Sequence, residues 1–193
     1  PDLDDTYTKA SLHITTQIEN LSKASIQNYT LEYSLYANRL YSDENSLVPG
    51  VTAQVKLDMK LSAHADTELE VTLDAQDKVK LWSAEAPYRY TLVGELKDAK
   101  GKTVQTFSSI VGFRKVEIKD TPADQDEFGL AGRYYYLNGK PIKLKGVNRH
   151  ENNVNTGHTV SRQQMEQEIF LMKRANINHV RNSHYPDAPY WYY

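Results

Sequence analysis

The stretch LKGVNRHE, residues 144–151, decides how the second part of the chain is interpreted. A short apolar segment leads here into polar and charged side chains, as at the carboxyl end of a strand that carries functional groups. Just before it, residues 134–137 and 142–147 predict two short strands, and Asn138-Gly139 between them is a hairpin signal. The second of these strands is therefore followed directly by candidate functional residues.

A helix and another strand follow. Ser161 and Gln164 fit a capping box, in which the serine and a residue three positions later satisfy each other's free amide groups. Residues 178–181 then predict a strand. Strand, helix and strand over about 40 residues form a βαβ unit, so we expect two parallel strands. One helical stripe carries apolar side chains up to the end of the helix near Asn176: Met165, Ile169 and Met172, flanked by Leu171 and Ala175.

Two lysines interrupt the strand predicted at residues 142–147. Lys143 and Lys145 alternate with Ile142 and Leu144, whereas parallel strands that are buried on both faces usually form unbroken apolar runs. A wide, polar interior could accommodate the lysines, so the sequence leaves the environment of this strand open.

Alternation with a period of two dominates the chain from residue 7 to about residue 119. Such alternation is typical of antiparallel sandwiches, whose strands have one buried and one solvated face. Six or seven strands in about 115 residues fit an immunoglobulin-like domain, here without cysteines to form its disulfide. The pattern, interrupted only at Thr16, is clearest in five segments: residues 12–18, 29–35, 51–59, 69–73 and 88–93.

These patterns predict a mainly β chain, an immunoglobulin-like β-sandwich followed by one βαβ unit. We expect the sandwich at residues 1–120, a loop at 121–133 and the βαβ unit at 134–193. Acidic, glycine and proline residues indicate the loop, because they end the alternation. The chain starts at Pro1 without a leader pattern and stops soon after its last predicted strand, so we expect an internal piece of a longer protein.

Composition narrows the class of partner. The formal net charge of −2 gives no reason to expect nucleic acid or an anionic membrane surface as a partner. No apolar run approaches the roughly 20 residues that a membrane-spanning helix needs. The chain has no cysteine, which excludes a disulfide framework and a cysteine-ligated metal site. We therefore expect a soluble protein.

Two segments place functional side chains at strand ends. Residues 148–152 follow the first parallel strand and residues 181–186 follow the second. Parallel α/β sheets bind ligands at the carboxyl ends of their strands, and these ends adjoin in a parallel pair. We therefore expect His150, His184 and Arg181 to converge on a cleft that binds a polyhydroxylated or anionic substrate. The alternative is that both histidines are hydrogen-bonded core residues.

Several of these segments resemble the family 2 glycoside hydrolases, in matching order along the chain. The resemblance covers residues 7–193 and implies that 134–193 is the N-terminal part of a truncated catalytic TIM barrel. Within the family, residues 148–151 and 189–192 look more like β-galactosidases than β-glucuronidases. The matching segments are LNGKP (137–141), LKGVNRHE (144–151), LMK (171–173), NIN (176–178) and VRNSHYP (180–186), with LWSAEAPYRYTL (81–92) and VGFR (111–114) in the sandwich.

The resemblance implies that the parent protein is a retaining β-galactosidase-like enzyme acting on terminal β-linked galactose of carbohydrates. His150 and His184 map onto histidines of the galactosyl site and would donate hydrogen bonds to sugar hydroxyls as the ring flattens toward an oxocarbenium ion. Arg181 matches an arginine of the motif, with a supporting or substrate-binding role. The acid/base and nucleophile glutamates lie beyond Tyr193 in this family, so we expect the chain alone to be inactive.

The resemblance also bears on metals, partners and location. It implies no metal or cofactor in this part of the protein, since the magnesium ligands of the parent are downstream. Glu151 and Asp187 lie beside motif histidines but match no catalytic position, so we expect neither to be catalytic. Expected partners are the carbohydrate substrate, the rest of the parent chain and, through the truncated barrel segment, a second copy. The parent would be located in a bacterial cytoplasm or periplasm.

Two other functions remain open. A tyrosine-rich sandwich, in a chain with 14 tyrosines, is compatible with a non-catalytic carbohydrate- or protein-binding module. That alternative leaves the segments around His150 and His184 without a purpose. A metal hydrolase could use His150, His158 and His184, but the chain lacks the HExxH spacing that places two histidines on one helical face.

Overall fold

The computed structural model describes residues 1–38, 45–57 and 60–192 of the 193-residue chain. Met59, the last apolar position of one predicted alternating segment, and Tyr193 lie outside the described residues. The chain forms two compact units, of which the first consists of Pro1–Lys119 with Tyr136–Pro141 and the second of Asp120–Tyr135 with Ile142–Tyr193.

The first unit begins with two antiparallel sheets. As far as Val111, the strands of the described residues are β1 (Asp2–Leu3), β2 (Ala10–Glu19), β3 (Tyr29–Asn38), β4 (Asn45–Leu57), β5 (Asp66–Gln76), β6 (Arg89–Lys97) and β7 (Thr103–Val111). One sheet has the strand order β1-β2-β5 and the other the order β4-β3-β6-β7. Neighbouring strands in both sheets run antiparallel. The prediction of a mainly β chain that begins with a sandwich is confirmed.

The two sheets share one hydrophobic core, to which each contributes alternate residues. In β3, Leu31, Tyr33 and Leu35 are buried, while the residues between them are partly exposed. Tyr90 of β6 packs edge to face against Phe113, with ring centroids 5.5 Å apart. Burial of each such large side chain stabilises the sandwich by about 1.5–3 kcal/mol relative to its exposure.

The predicted interruption of the alternation at Thr16 is wrong. Inward-facing positions continue through β2 from Leu12 to Ile18, and Thr16 takes one of them. Its hydroxyl forms a hydrogen bond with the hydroxyl of Tyr33, on the facing sheet. A polar side chain is tolerated at this position because its partner is inside as well. Burial raises the pKa of the Tyr33 phenol, and the hydrogen bond to Thr16 opposes that rise.

Trp82 connects the segment between β5 and β6 to the end of the sandwich. Its backbone N–H donates to the carbonyl of Phe113 at 2.8 Å, and its own carbonyl accepts from the side-chain amide of Asn138 at 3.0 Å. The guanidinium of Arg114 lies 4.4 Å from the centre of the indole ring, an attractive cation–π geometry. These contacts fix a segment that belongs to no strand.

A further, three-stranded sheet is formed by strands that follow β7 along the chain. Its strands are β8 (Val116–Thr121), β9 (Gly132–Leu137) and β10 (Lys140–Ile142), in the order β10-β9-β8. The predicted hairpin turn is confirmed, because Asn138 and Gly139 have φ values of 49° and 75°, as tight hairpins require. The segment predicted as loop contains the end of β8 and a short 3₁₀ helix, Ala123–Gln125.

The second unit contains the predicted βαβ unit. It consists of β11 (Gly146–Arg149), α1 (Arg162–Arg174) and β12 (His179–Asn182). β11 and β12 are parallel and pair residue for residue, from Gly146 with His179 to Arg149 with Asn182. The prediction of two parallel strands joined by a helix is confirmed, and the described residues form no closed barrel.

The strand predicted at residues 142–147 is divided in the structure. Ile142 ends β10, Gly146 begins β11, and Lys143 and Lys145 lie in the exposed segment between them. The two lysines therefore need no polar interior around them, because neither of them belongs to a strand whose two faces are buried.

Helix α1 starts where the sequence predicts and ends slightly earlier. The hydroxyl of Ser161 accepts from the backbone N–H of Gln164 at 3.2 Å, one half of the expected capping box. The side-chain oxygen of Gln164 accepts instead from Asn153, so the reciprocal half is replaced by a contact with the preceding loop. The helix ends at Arg174, and Asn176 follows with a φ of 57°, a conformation common just after helices.

The apolar stripe of α1 is only partly covered. Met165 is buried, whereas Ile169 of the stripe and the flanking Leu171 are 37% and 61% exposed. Among the described residues, no helix combines the length and the apolar character that crossing a bilayer requires.

Candidate functional site

The two parallel strands end side by side, and their last residues lead into the predicted site. The backbone N–H of Ser183 donates to the carbonyl of Arg149 at 2.7 Å, which extends the pairing just beyond the strands. His150 and His184 follow, with ring centroids 5.6 Å apart and ring planes at 83°. Both side chains are exposed, so neither histidine lies in a core formed by this chain.

The third predicted residue, Arg181, joins the histidine pair. One terminal nitrogen of its guanidinium, Nη2, lies 3.2 Å from Nδ1 of His184. The other, Nη1, lies 3.3 Å from the hydroxyl of Ser183 and 3.5 Å from the side-chain oxygen of Asn148. The structure therefore brings together all three side chains that the sequence singled out.

A buried ion-pair network behind the site was not predicted. The guanidinium of Arg149 donates to Glu168 and to Asp187, each at 2.7 Å, and its centre lies 3.8 Å from the ring centre of Trp191. The side chains of Arg149 and Asp187 are 4% and 0% exposed. The network joins β11, α1 and the segment after β12, so it fixes the elements from which His150 projects.

The two acidic residues beside the motif histidines each form a contact with another part of the second unit. Glu151 is buried and accepts from the backbone N–H of Ala188 at 3.0 Å. Asp187 is bonded to Arg149. Each carboxylate therefore anchors the terminal segment, and the prediction that neither is catalytic stays a prediction.

His158 has a different surrounding from the histidine pair. Its Nδ1 donates to the carbonyl of Glu151 at 2.8 Å, and its ring packs edge to face against Tyr185 at 5.9 Å between centroids. In the part of the chain that the structure describes, no three His, Asp or Glu side chains are grouped as metal ligands. The alternative of a metal hydrolase built on three histidines therefore finds no support in the geometry.

Comparison with known proteins connects both units to one family. The family described as "Glycosyl hydrolases family 2" matches residues 1–114, and "Glycosyl hydrolases family 2, TIM barrel domain" matches residues 129–193. The β-galactosidase of Pseudoalteromonas haloplanktis is 36% identical over all of this chain and 16% of its own length. The β-galactosidase of Priestia megaterium is 37% identical over 98% of this chain and 16% of its length. The chain thus spans about one sixth of these relatives.

Solved structures show the same fold. A β-glucuronidase of Bacteroides uniformis superposes with a TM-score of 0.77 at 21% identity, over 99% of this chain and 20% of that one. A glycosyl hydrolase family 2 member from Bacteroides cellulosilyticus gives a TM-score of 0.75 at 25% identity, over 96% of this chain and 22% of that one.

Proposed function

The chain belongs to glycosyl hydrolase family 2, and we propose that it is part of a retaining β-galactosidase-like enzyme that acts on terminal β-linked galactose. The observation that carries the proposal is the exposed pair of His150 and His184, 5.6 Å apart at the ends of two parallel strands. Relatives that are β-galactosidases and match nearly the whole chain support the choice of sugar.

The histidine pair suits the recognition of a sugar ring. The two imidazole planes lie at 83° to each other, so their N–H groups point in different directions. Two hydroxyls of one sugar can therefore each accept a hydrogen bond from one histidine. Glycoside cleavage flattens the ring toward an oxocarbenium ion, and hydrogen bonds that strengthen during this change accelerate the reaction. His150 and His184 would contribute in this way, as transition-state donors.

The carboxylates of the mechanism are proposed to lie outside residues 1–193. A retaining enzyme holds its acid/base and nucleophile carboxyls about 5–5.5 Å apart. Glu151 and Asp187 are buried and occupied by Ala188 and Arg149. The described residues also do not fit a magnesium site, so no step proposed for this chain involves that ion.

The test compares the full-length protein that contains this chain with the 193-residue chain alone. We expect the full-length protein to hydrolyse a chromogenic β-galactoside faster than the matching β-glucuronide, and the isolated chain to hydrolyse neither. A preference for the glucuronide would contradict the proposed sugar. Turnover by the isolated chain that is lost with Glu151→Gln would contradict the proposed location of the catalytic carboxylates.

A further inference from the structure

His158 lies in the loop between β11 and α1, and its ring folds back onto the start of that loop. Its Nδ1 lies 2.8 Å from the backbone carbonyl of Glu151, the residue that directly follows His150. A carbonyl oxygen only accepts hydrogen bonds, so Nδ1 carries a proton and donates it. In a neutral imidazole Nε2 is then unprotonated, and a protonated imidazole keeps the same bond from Nδ1.

Tyr185 is the second neighbour of this ring. Its phenol oxygen lies 3.3 Å from the same Nδ1, and the two rings pack edge to face with centroids 5.9 Å apart. Because Nδ1 is protonated for the shorter contact, the phenol cannot donate to it, and Tyr185 gives the ring a packing surface. Tyr185 directly follows His184 in the chain. His158 therefore contacts the next residue after each histidine of the candidate site.

The loop that carries His158 is closed on itself. The backbones of Asn153 and Gly157 exchange two hydrogen bonds, of 2.8 and 2.9 Å. The side-chain amide of Asn153 also donates to Gln164 of α1, which ties the loop to the helix. His158 follows directly after this bridge, so its ring projects from a backbone that is already held.

The backbone around His150 is held on both sides. The carbonyl of Arg149, the residue before it, accepts from the backbone N–H of Ser183 at 2.7 Å. The carbonyl of Glu151, the residue after it, accepts from His158. The first bond extends the pairing of the strands, whereas the second depends on one side chain of the loop. A group that stabilises a transition state contributes most when its position is set in advance, so loss of the second bond would weaken the contribution of His150.

We propose that His158 is a positioning residue, whose Nδ1–H holds the backbone that follows His150 while its ring packs against the segment that follows His184. The effect on catalysis rests on the proposed function, whereas the hydrogen bond and the tautomer do not. His158 thus acts in the reaction through its neighbours, although the sequence analysis considered it only as a ligand of a metal hydrolase.

The hydrogen bond is tested by nuclear magnetic resonance on the ¹⁵N-labelled 193-residue chain. Two-bond ¹H–¹⁵N correlations, read for the neutral imidazole, should show His158 with its proton on Nδ1 and an unprotonated Nε2. Tyr185→Phe should leave this form unchanged, because the acceptor is the carbonyl of Glu151. A proton mainly on Nε2, the form that a free histidine side chain prefers in water, overturns the proposal, and so does loss of the Nδ1–H form in Tyr185→Phe.

The catalytic role is tested on the full-length protein with two amides that each mimic one ring nitrogen. The side-chain nitrogen of asparagine can take the place of Nδ1, whereas that of glutamine can take the place of Nε2. His158→Gln should lower kcat by about tenfold with little change in KM, as expected when a transition-state donor is displaced. His158→Asn should retain about half of kcat or more, because its amide can restore the bond. Equal losses in the two variants, or a rise in KM alone, would overturn the positioning role.

A double-variant comparison shows whether the effect passes through His150. In the His150→Phe background, His158→Gln should cost less than about twofold in kcat, because the side chain that it positions is gone. A loss as large as in the unchanged background would overturn the proposal. A full-length protein without glycosidase activity would refute the proposed function and leave the hydrogen bond to the spectra.

Discussion

The two units of the chain bury different kinds of side chain. In the sandwich, apolar residues from both sheets form one continuous core, with Leu31, Leu35 and Leu73 almost fully buried. In the second unit, Met165 is the only buried apolar side chain among the described residues. The other buried side chains of that unit are polar or charged: Thr121, Arg149, Glu151, Ser183 and Asp187.

The two units are therefore stabilised by different interactions. A shared apolar core stabilises a domain without outside help, because each side chain leaves water on folding. Buried charges stabilise a structure only when every partner is in place, and removal of one partner leaves an uncompensated charge. The second unit therefore depends on exact pairing near its candidate site and leaves the apolar face of α1 for other contacts.

The largest expected effect concerns the buried ion pair. Asp187→Ala removes the fully buried partner of Arg149 and leaves only the partly exposed Glu168, so it should destabilise the second unit by about 3–5 kcal/mol. Asp120→Ala is the matched control, because it removes an ion pair with Arg133 that is exposed on both sides and worth about 0–1 kcal/mol. Amide exchange of β11 and β12 measures the change. Similar losses in the two variants would show that the buried network does not hold the unit together.

The second-largest expected effect is a loss of catalysis when a histidine of the candidate site is replaced. It tests whether function depends on the second unit alone. In the full-length protein, His150→Phe and His184→Phe should each lower kcat by about 10²–10³, as expected for lost transition-state donors. His13→Phe, an exposed position on β2, should leave kcat unchanged. The readout is hydrolysis of a β-galactoside. A variant that raises KM alone would make its histidine a ground-state contact.

Packing defects should matter in the sandwich and little on α1. Leu73→Ala removes a fully buried side chain and should lower the free energy of unfolding of the first unit by about 2–5 kcal/mol. Leu171→Ala shortens a side chain that is 61% exposed and should cost less than about 0.5 kcal/mol. Urea denaturation of the two variants measures both values. A large loss in Leu171→Ala would mean that α1 is covered in solution.

Exposure of the helix face should also be visible without mutation. We expect residues 134–193 of the isolated chain to exchange their amides about a hundredfold faster than residues 50–115, or to pair with the same segment of a second copy. Hydrogen exchange combined with light scattering distinguishes these outcomes. A monomer with equal protection in both segments would contradict the comparison between the units.

The smallest effect is a dependence on alkaline pH in the sandwich. Burial raises the pKa of Tyr33 above its ordinary value of about 10, so the folded state favours the protonated phenol. The protonated Tyr33 phenol therefore contributes its full share of stability below about pH 10. That contribution is lost as the pH rises from there through the higher pKa of the folded state. Tyr33→Phe should reduce this loss in thermal denaturation between pH 9 and 11. An unchanged pH profile would contradict it.

The sequence predicts those parts of the molecule that depend on local pattern. Period-two alternation identifies the sandwich strands, and the Asn138-Gly139 turn and the Ser161 cap mark local boundaries. The convergence of His150 and His184 followed from one rule about parallel strands.

Features that depend on distant partners could not be predicted in this way. Arg149 meets Glu168 and Asp187, which lie 19 and 38 residues further along the chain, and no local pattern pairs them. Thr16 broke the apparent alternation because its buried partner, Tyr33, is on the other sheet. The one signal of the buried network in the sequence was a charged residue at the end of a short strand. It identifies Arg149 but not its partners.

The stacked tryptophans give each unit its own optical reporter. The chain has two tryptophans, Trp82 in the first unit and Trp191 in the second, each with an arginine over its indole ring. Indole emission responds to a nearby cation and to water, so separation from either arginine changes the fluorescence. In Trp82→Phe the remaining emission reports on the buried charge network alone, and in Trp191→Phe it reports on the sandwich. The unfolding of each unit can therefore be followed separately in an unlabelled protein.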